Sequence, residues 1–473
     1  MAYKTVNPYT NEVVKEYPNA TPTEIEEALD SAQALYKQWE LEGPETRSVQ
    51  LHEVAALLRE NIDKLAKTIT QDMGKLLRES QGEVELCAMI ADYFADHSAD
   101  LLQPKMIETI ATGQAQIKKH PLGVLLMVEP WNFPMYQIMR VFAPNFMVGN
   151  PMILKHAAIT PGSAAAFEKI IKDSSLPDAS LTNLFLNYDQ VSDVVADRRV
   201  QGVALTGSER GGRSVAREAG ANLKKNTMEL GGTDAFIVLD DTDIDTVADV
   251  AWRTRLYNAG QVCTSSKRFI VADNLYDQFL DKLRDNFAKV IPGDPLDPKT
   301  SLAPMNSKKA KDKLQQQVND AITSGAKLFY GNEAIDLPGQ FFQPTILTDI
   351  KPGNPAYSQE MFGPVAQVYK VSSDQEAIDL ANDSDLGLGG IVFSGDPKRG
   401  EEVASKIETG MVFVNNFMVS LPDLPFGGVK NSGYGREMYE LGLNAFVNEQ
   451  LIVTANHPDL SNLAGGLVAT DPE

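Results

Sequence analysis

Only two cysteines, Cys87 and Cys263, occur in the 473 residues, and only Cys263 stands among residues that suit nucleophilic chemistry. It closes the segment Asn258-Ala259-Gly260-Gln261-Val262-Cys263, after a helical pattern that ends near Ala259, where a small side chain can face a tunnel. A thiolate attacks carbonyls far better than a thiol, and free cysteine, with a pKa near ~8.5, is only a few per cent ionised at neutral pH. Activation by the surroundings is therefore required. The competing reading is a buried cysteine packed as a small hydrophobe. Cys87 sits in a helical stretch with no reactive neighbour and reads as a helix residue.

Two further segments set polar groups among glycine and proline: Pro130-Trp131-Asn132-Phe133-Pro134 and Met228-Glu229-Leu230-Gly231-Gly232. Thiolate addition puts negative charge on a carbonyl oxygen, and a preorganised donor aimed at that charge is worth about 3–4 kcal/mol. Asn132 is the candidate donor; capping the helix that starts near Pro134 is its alternative role. Glu229 is the candidate general base, because partial desolvation raises a carboxyl pKa toward neutrality. A strand-end carboxylate paired to a surface lysine is the structural alternative.

These residues need a large scaffold, and the chain provides one. Lys plus Arg at 43 against Asp plus Glu at 64 gives a net charge of −21, which argues against nucleic-acid backbones and anionic membrane surfaces. Two cysteines and five histidines build neither a disulfide framework nor a metal-ligand cluster, so no metal is expected and the cytoplasm is the expected compartment. Thr21-Pro22-Thr23-Glu24 opens a capped helix that Gly43-Pro44 stops. Pro44 to about Lys67 and Lys75 to about Leu102 read as further helices, and 106–119 as a hairpin. From Gly123 short apolar runs alternate with helices, twice over. Such alternation predicts parallel sheets covered by helices on both faces, an α/β class.

The order of these three motifs, with Thr206-Gly207-Ser208, Glu360-Met361-Phe362-Gly363-Pro364 and Pro425-Phe426-Gly427-Gly428-Val429-Lys430, resembles the NAD(P)-dependent aldehyde dehydrogenase family over nearly the whole chain. The resemblance implies two parallel-sheet α/β domains plus a small β oligomerisation element. On that basis residues 1–104 and 122–231 form the dinucleotide-binding domain, 232–437 the catalytic domain, 105–121 and 438–456 the oligomerisation strands, and 457–473 a flexible tail. A homodimer or homotetramer follows by resemblance. So does the pairing of the Asn132 amide with the backbone N–H of Cys263 as oxyanion donors. Glu229 discriminates further: relatives that pass the thioester to coenzyme A generally lack it, so hydrolysis to a free acid is implied.

Gly207-Ser208 through Gly212 follows a strand and opens a helix, so backbone N–H groups can face a pyrophosphate. It matches the family's dinucleotide turn, with Glu209, Arg210 and Gly211 departing from the commonest wording. Trp131, Leu230, Glu360 and Phe362 fall at family cofactor positions, Glu360 and Phe362 at the nicotinamide ribose and ring. Lys155 matches a lysine that contacts the adenine ribose. Where NAD-preferring relatives carry a glutamate this chain has Ala158, so NADP is expected to be preferred with NAD possible. His156 can add a donor there or be a histidine satisfied at a strand end.

Arg140 and Ser420 stand where succinate-semialdehyde dehydrogenases bind the substrate carboxylate, while Tyr257 replaces a second arginine of many such enzymes. With LKHA, LTGSE, ELGG, LPFGG and SGYGRE, the chain is similar to their shorter bacterial NADP-dependent branch. The alternative for Arg140 is an ordinary helix-face ion pair. A broad-specificity aliphatic or aromatic aldehyde dehydrogenase, and a catalytically silent scaffold, are the other functional readings.

Overall fold

The computed structural model describes residues 3–39 and 43–457, so the expected flexible tail, His457 apart, lies outside the described residues. Two sheets carry the chemistry. The first has six strands in the order Gly433–Tyr434, Lys225–Glu229, Val200–Thr206, Val124–Glu129, Met152–His156 and Leu181–Asn183. Five are parallel, as crossover connections require; Gly433–Tyr434 pairs antiparallel at the edge. The chain winds outward from Val124–Glu129 to Leu181–Asn183, then returns to lay Val200–Thr206 on the opposite side. In open α/β sheets such a reversal leaves a ligand crevice beyond the carboxyl ends of the two central strands. Trp131-Asn132 and Gly207-Ser208 follow those two ends.

The second sheet has seven strands in the order Lys327–Tyr330, Thr345–Thr348, Val365–Val371, Arg268–Ala272, Ala235–Val238, Gly389–Phe393 and Met411–Val414. Only Lys327–Tyr330 is antiparallel to its neighbour. Residues 230–234 lead from the carboxyl end of Lys225–Glu229 to the amino end of Ala235–Val238, and the Cys263 loop leads into Arg268–Ala272. Asn132 and Glu229 thus leave one sheet where Cys263 enters the other. A small antiparallel sheet, Val447–Thr454 on Gln114–Pro121 on Lys105–Ile107, joins the expected hairpin to the last strand.

The Thr21 capping box forms: its N–H reaches Glu24 Oε2 at 2.7 Å, and Glu24 N–H reaches Thr21 Oγ1 at 3.2 Å. The single helix expected from Pro44 to Lys67 is instead two, Glu45–Glu60 and Ile62–Met73, broken at Asn61, whose Nδ2 turns back to the Leu57 carbonyl at 2.9 Å. Of the apolar runs that follow Gly123, LTNLFLN forms a strand only over Leu181–Asn183 and FFQPTIL only from Thr345; Leu184, Leu186, Phe341 and Phe342 join the core from irregular segments. The boundary at 437 does not separate the sheets either, since Gly433–Tyr434 belongs to the first. Every side chain of the Tyr136–Val148 helix is buried, as its nearly all-round apolar sequence demands. Among the described residues no helix is long and apolar enough to cross a membrane.

Candidate active site

Cys263 follows a strained turn. The Ile244–Leu256 helix stops before Tyr257, and Asn258 and Ala259 take left-handed φ values of 50° and 51° rather than extending the expected helix. Each such residue costs about 1–3 kcal/mol and persists only when its surroundings hold it. Asn258 does much of the holding: Nδ2 donates to the carbonyls of Asn132 at 2.9 Å and Gln261 at 3.3 Å, and its N–H donates to Glu79 Oε1 at 3.3 Å. Gly260 follows at φ +74°, where a Cβ would fall on the Gly363 carbonyl. Buried Arg255 clamps the same two segments, donating to the carbonyls of Met361 at 2.9 Å, Val365 at 2.7 Å, Gly260 at 3.3 Å and Gly363, and to Ser265 Oγ at 2.6 Å.

Asn132 is brought to this turn. Its Nδ2 donates to the Gln261 carbonyl at 3.1 Å, which uses one of two amide hydrogens. It does not cap the following helix. Glu83, from the Leu77–Leu101 helix, does so: its Oε1 accepts the N–H groups of Met135 at 2.8 Å and Tyr136 at 3.1 Å. Glu83 also pairs with buried Lys75, whose Nζ lies 3.6 Å from the Phe133 ring centroid.

A cavity of about 530 Å³ opens between the sheets, and Cys263, Arg140, Tyr257 and Ser420 all line it with Phe133 and Phe426. Burial pushes the Cys263 thiol up to about 11, against lowering by Lys267 and Arg140. Arg140 is fully buried. It pairs with Glu437, lies 4.2 Å from the Phe426 ring centroid, and donates to Thr206 Oγ1 at 3.1 Å and the Tyr136 hydroxyl at 3.3 Å. The Tyr136 hydroxyl in turn bonds Ser420 Oγ. The ion pair weighed against a substrate role therefore exists, but in the interior and on the cavity wall rather than on an exposed helix face.

Glu229 is buried with neither carboxylate oxygen hydrogen-bonded, and it is not among the residues lining the cavity. Burial, with the nearby Glu437 charge adding, holds its carboxyl well above the usual range, while Arg140 and Arg436 act the other way. No surface lysine pairs with it among the described residues. Glu129, at the end of its own strand, is raised by the same causes, so three carboxyl groups share one guanidinium. Glu129, just before Pro130, and Glu437, the last residue of SGYGRE, carry no site role in the sequence reading, because spacing gives no sign that they meet.

Several residues expected to hold a cofactor lie around the switch point. Ser208 Oγ accepts the Gly211 N–H at 3.3 Å, and the first helical bond runs from Gly212 N–H to the Ser208 carbonyl at 2.9 Å. The N–H groups of Glu209 and Arg210 are left for a ligand. Gly212 lets the helix meet Leu230, since a Cβ there would lie 2.6 Å from Leu230 Cδ2. Burial pushes Lys155 down to about 8; its Nζ donates to the His156 carbonyl at 2.9 Å, and no carboxylate among the described residues pairs with it. Its Nζ also lies 5.7 Å from the Tyr3 ring centroid, and a buried cation without a carboxylate suits a phosphorylated dinucleotide. Ala158 leaves no carboxylate at its position, and its carbonyl takes the Lys4 N–H at 3.0 Å. Across the crevice Trp131 meets Phe362 edge-on at 5.7 Å, and Glu360 Oε1 accepts the Gly232 N–H at 3.2 Å. His156 is corrected: it is fully buried, Nε2 contacts the Pro134 carbonyl at 2.9 Å and Nδ1 the Thr160 hydroxyl at 3.1 Å, leaving no ring nitrogen for a ligand.

A model of the aldehyde dehydrogenase family matches residues 1–452. The chain is 47% identical over 450 residues to a succinate-semialdehyde dehydrogenase (NADP+) of Deinococcus radiodurans, covering 95% of this chain and 94% of that protein. It is 36% identical to the Escherichia coli succinate semialdehyde dehydrogenase (NAD(P)+) Sad, covering 94% and 96%. The crystal structure of succinic semialdehyde dehydrogenase from Streptococcus pyogenes in complex with NADP+ superimposes with a TM-score of 0.95 at 56% identity, covering 96% of this chain and 100% of that one.

Proposed function

Because the chain belongs to the aldehyde dehydrogenase family, we propose that it oxidises succinate semialdehyde to succinate through a cysteine thioester, with NADP preferred and NAD accepted. The observation that carries this reading is the buried guanidinium of Arg140 on the wall of the cavity that also holds Cys263. A cation behind a largely apolar wall orients a short chain with a carboxylate at one end and an aldehyde at the other. The Ser420 and Tyr136 hydroxyls stand with it as neutral donors, and Tyr257 offers another. The Deinococcus and Streptococcus relatives, by their names, support both the substrate and the cofactor.

In this mechanism ionised Cys263 Sγ adds to the aldehyde carbon. The second amide hydrogen of Asn132 and the Cys263 N–H donate to the oxygen as it gains charge. NADP, held by Lys155, Ser208, the Glu209 and Arg210 N–H groups and Glu360, supplies the hydride acceptor when bound. Glu229, once ionised, takes a proton from the water that attacks the thioester carbon, and the C–S bond breaks to release the acid and the thiol. Burial makes that base strong, and because Glu229 does not line the cavity it has to turn toward it to reach the water. The chain acts in the cytoplasm as a homodimer or homotetramer; exposed Met106, Leu451 and Val453 on the small sheet support self-association, and two free cysteines a reducing compartment.

The apolar lining and the existing Arg140–Glu437 pair favour one second reading, an enzyme for uncharged aliphatic or aromatic aldehydes. Initial rates with succinate semialdehyde, hexanal and benzaldehyde, each with NAD and NADP, separate the two. Preference for the semialdehyde with NADP supports the proposal. Activity spread over uncharged aldehydes transfers the site to the second reading, and no turnover at all leaves a silent scaffold.

A further inference from the structure

Lys267 lies one residue before the Arg268–Ala272 strand and has no solvent exposure. An ammonium taken out of water needs partners on every side, and here they come from both halves of the site. Its Nζ donates to the Val262 carbonyl at 2.8 Å and to the carbonyl of Cys263 itself. It also pairs with Glu360 Oε1 at 3.2 Å, the same oxygen that accepts the Gly232 N–H, and lies 6.0 Å from the Phe362 ring centroid. The lysine therefore bridges the nucleophile's backbone and the carboxylate read as holding the nicotinamide ribose.

We propose that Lys267 is a positioning residue that couples Glu360 to Cys263: it fixes the cysteine loop through two carbonyls and sets the charge that the sulfur feels. The inference rests on reading Cys263 as the nucleophile. Four charged groups act on this thiol: Lys267 and Arg140 favour the thiolate, Glu360 and Asp234 oppose it. Lys267 and Glu360 partly cancel at the sulfur. A group that draws the Glu360 carboxylate away leaves the ammonium less neutralised, with the two carbonyls as its remaining acceptors.

The test is the pH dependence of alkylation of Cys263 by iodoacetamide in the cofactor-free protein, located by mass spectrometry, in wild type, Lys267→Met and Glu360→Gln. Removing the cation is expected to raise the alkylation midpoint by about one pH unit, hence about tenfold slower labelling below it. Removing the anion is expected to lower the midpoint. Opposite signs support the proposal, because loop distortion moves both variants the same way. Unchanged midpoints, or shifts of equal sign, overturn it. Cys87, fully buried, reports on folding: if Lys267→Met exposes it to labelling, the direction of the Glu360→Gln shift decides. The nucleophile reading fails separately, by steady-state turnover in Cys263→Ala.

Discussion

Substituting Arg140 separates two roles that its position combines. It is the counter-ion of buried Glu437, and Glu129 and Glu229 lie in the same field. Arg140→Met leaves these carboxyl groups without their main cation, and breaking a buried pair from one side costs about 3–5 kcal/mol. The loss is largest at high pH and shrinks as pH falls, because a Glu437 already raised by burial takes up a proton more readily once the cation is gone. Adding Glu437→Gln removes the stranded charge, so the double variant recovers most of the stability. Selectivity behaves differently. A charge-assisted bond to a substrate carboxylate is worth about 1.5–3 kcal/mol, or about 10–150-fold in kcat/KM. The assay is the ratio of kcat/KM for succinate semialdehyde to that for hexanal, which cancels damage common to both substrates, with thermal melts at pH 6 and pH 8. Both variants are expected to lose the ratio, and only the single variant to melt early. A stable double variant with the wild-type ratio refutes a substrate role for Arg140 and leaves it as an ion pair.

Cys263→Ala is expected to abolish aldehyde oxidation while NADP still binds, checked by initial rates and fluorescence titration. Glu229→Gln should slow thioester hydrolysis by about 10²–10⁴ and leave a burst of reduced cofactor in stopped flow. The same variant has a stability signature. The folded Glu229 pKa is raised, so its contribution is present at low pH and lost as pH rises, by up to about 1.4 kcal/mol per pH unit. The melting gap between Glu229→Gln and wild type should therefore widen from pH 5.5 to pH 7.5. Ala158→Glu should disfavour NADP over NAD by about 1–4 kcal/mol, read from the two cofactor KM values.

Much of this was legible in the sequence because chemistry and fold leave different marks. Short apolar runs such as AFIV and the MIL of MILKH betray parallel strands between helices. Cys263 follows a glycine turn, Asn132 stands between two prolines, and Glu229 ends a strand just before Gly231-Gly232. Legibility ended where partners come from distant segments. Glu83 caps a helix that begins 53 residues later, and no local pattern distinguishes it from a solvated carboxylate. Lys75, Lys267 and Arg255 look like surface cations until the fold encloses them. Gly389–Phe393 and Met411–Val414 are short apolar runs bounded by glycine and asparagine, and only the sheet shows where in it they lie. Side-chain direction was hidden too: adjacent strand residues face opposite sides, which sends Lys155 toward Tyr3 and His156 toward Pro134 and Thr160.

The strand that carries Glu229 is completed by residues synthesised some two hundred positions later. Gly433 pairs with Glu229 and Tyr434 with Met228, and at φ +108° a Cβ on Gly433 would fall on the Met228 carbonyl. Until that hairpin arrives, Lys225–Glu229 is an open edge, the kind of surface on which chains join one another. Nascent or truncated chains ending before Gly433 therefore carry Glu229 on an aggregation-prone border, and the two sheets mature together rather than in order of synthesis. The enzyme cannot be divided into separately folding halves at 231, because its last turns seal its first sheet.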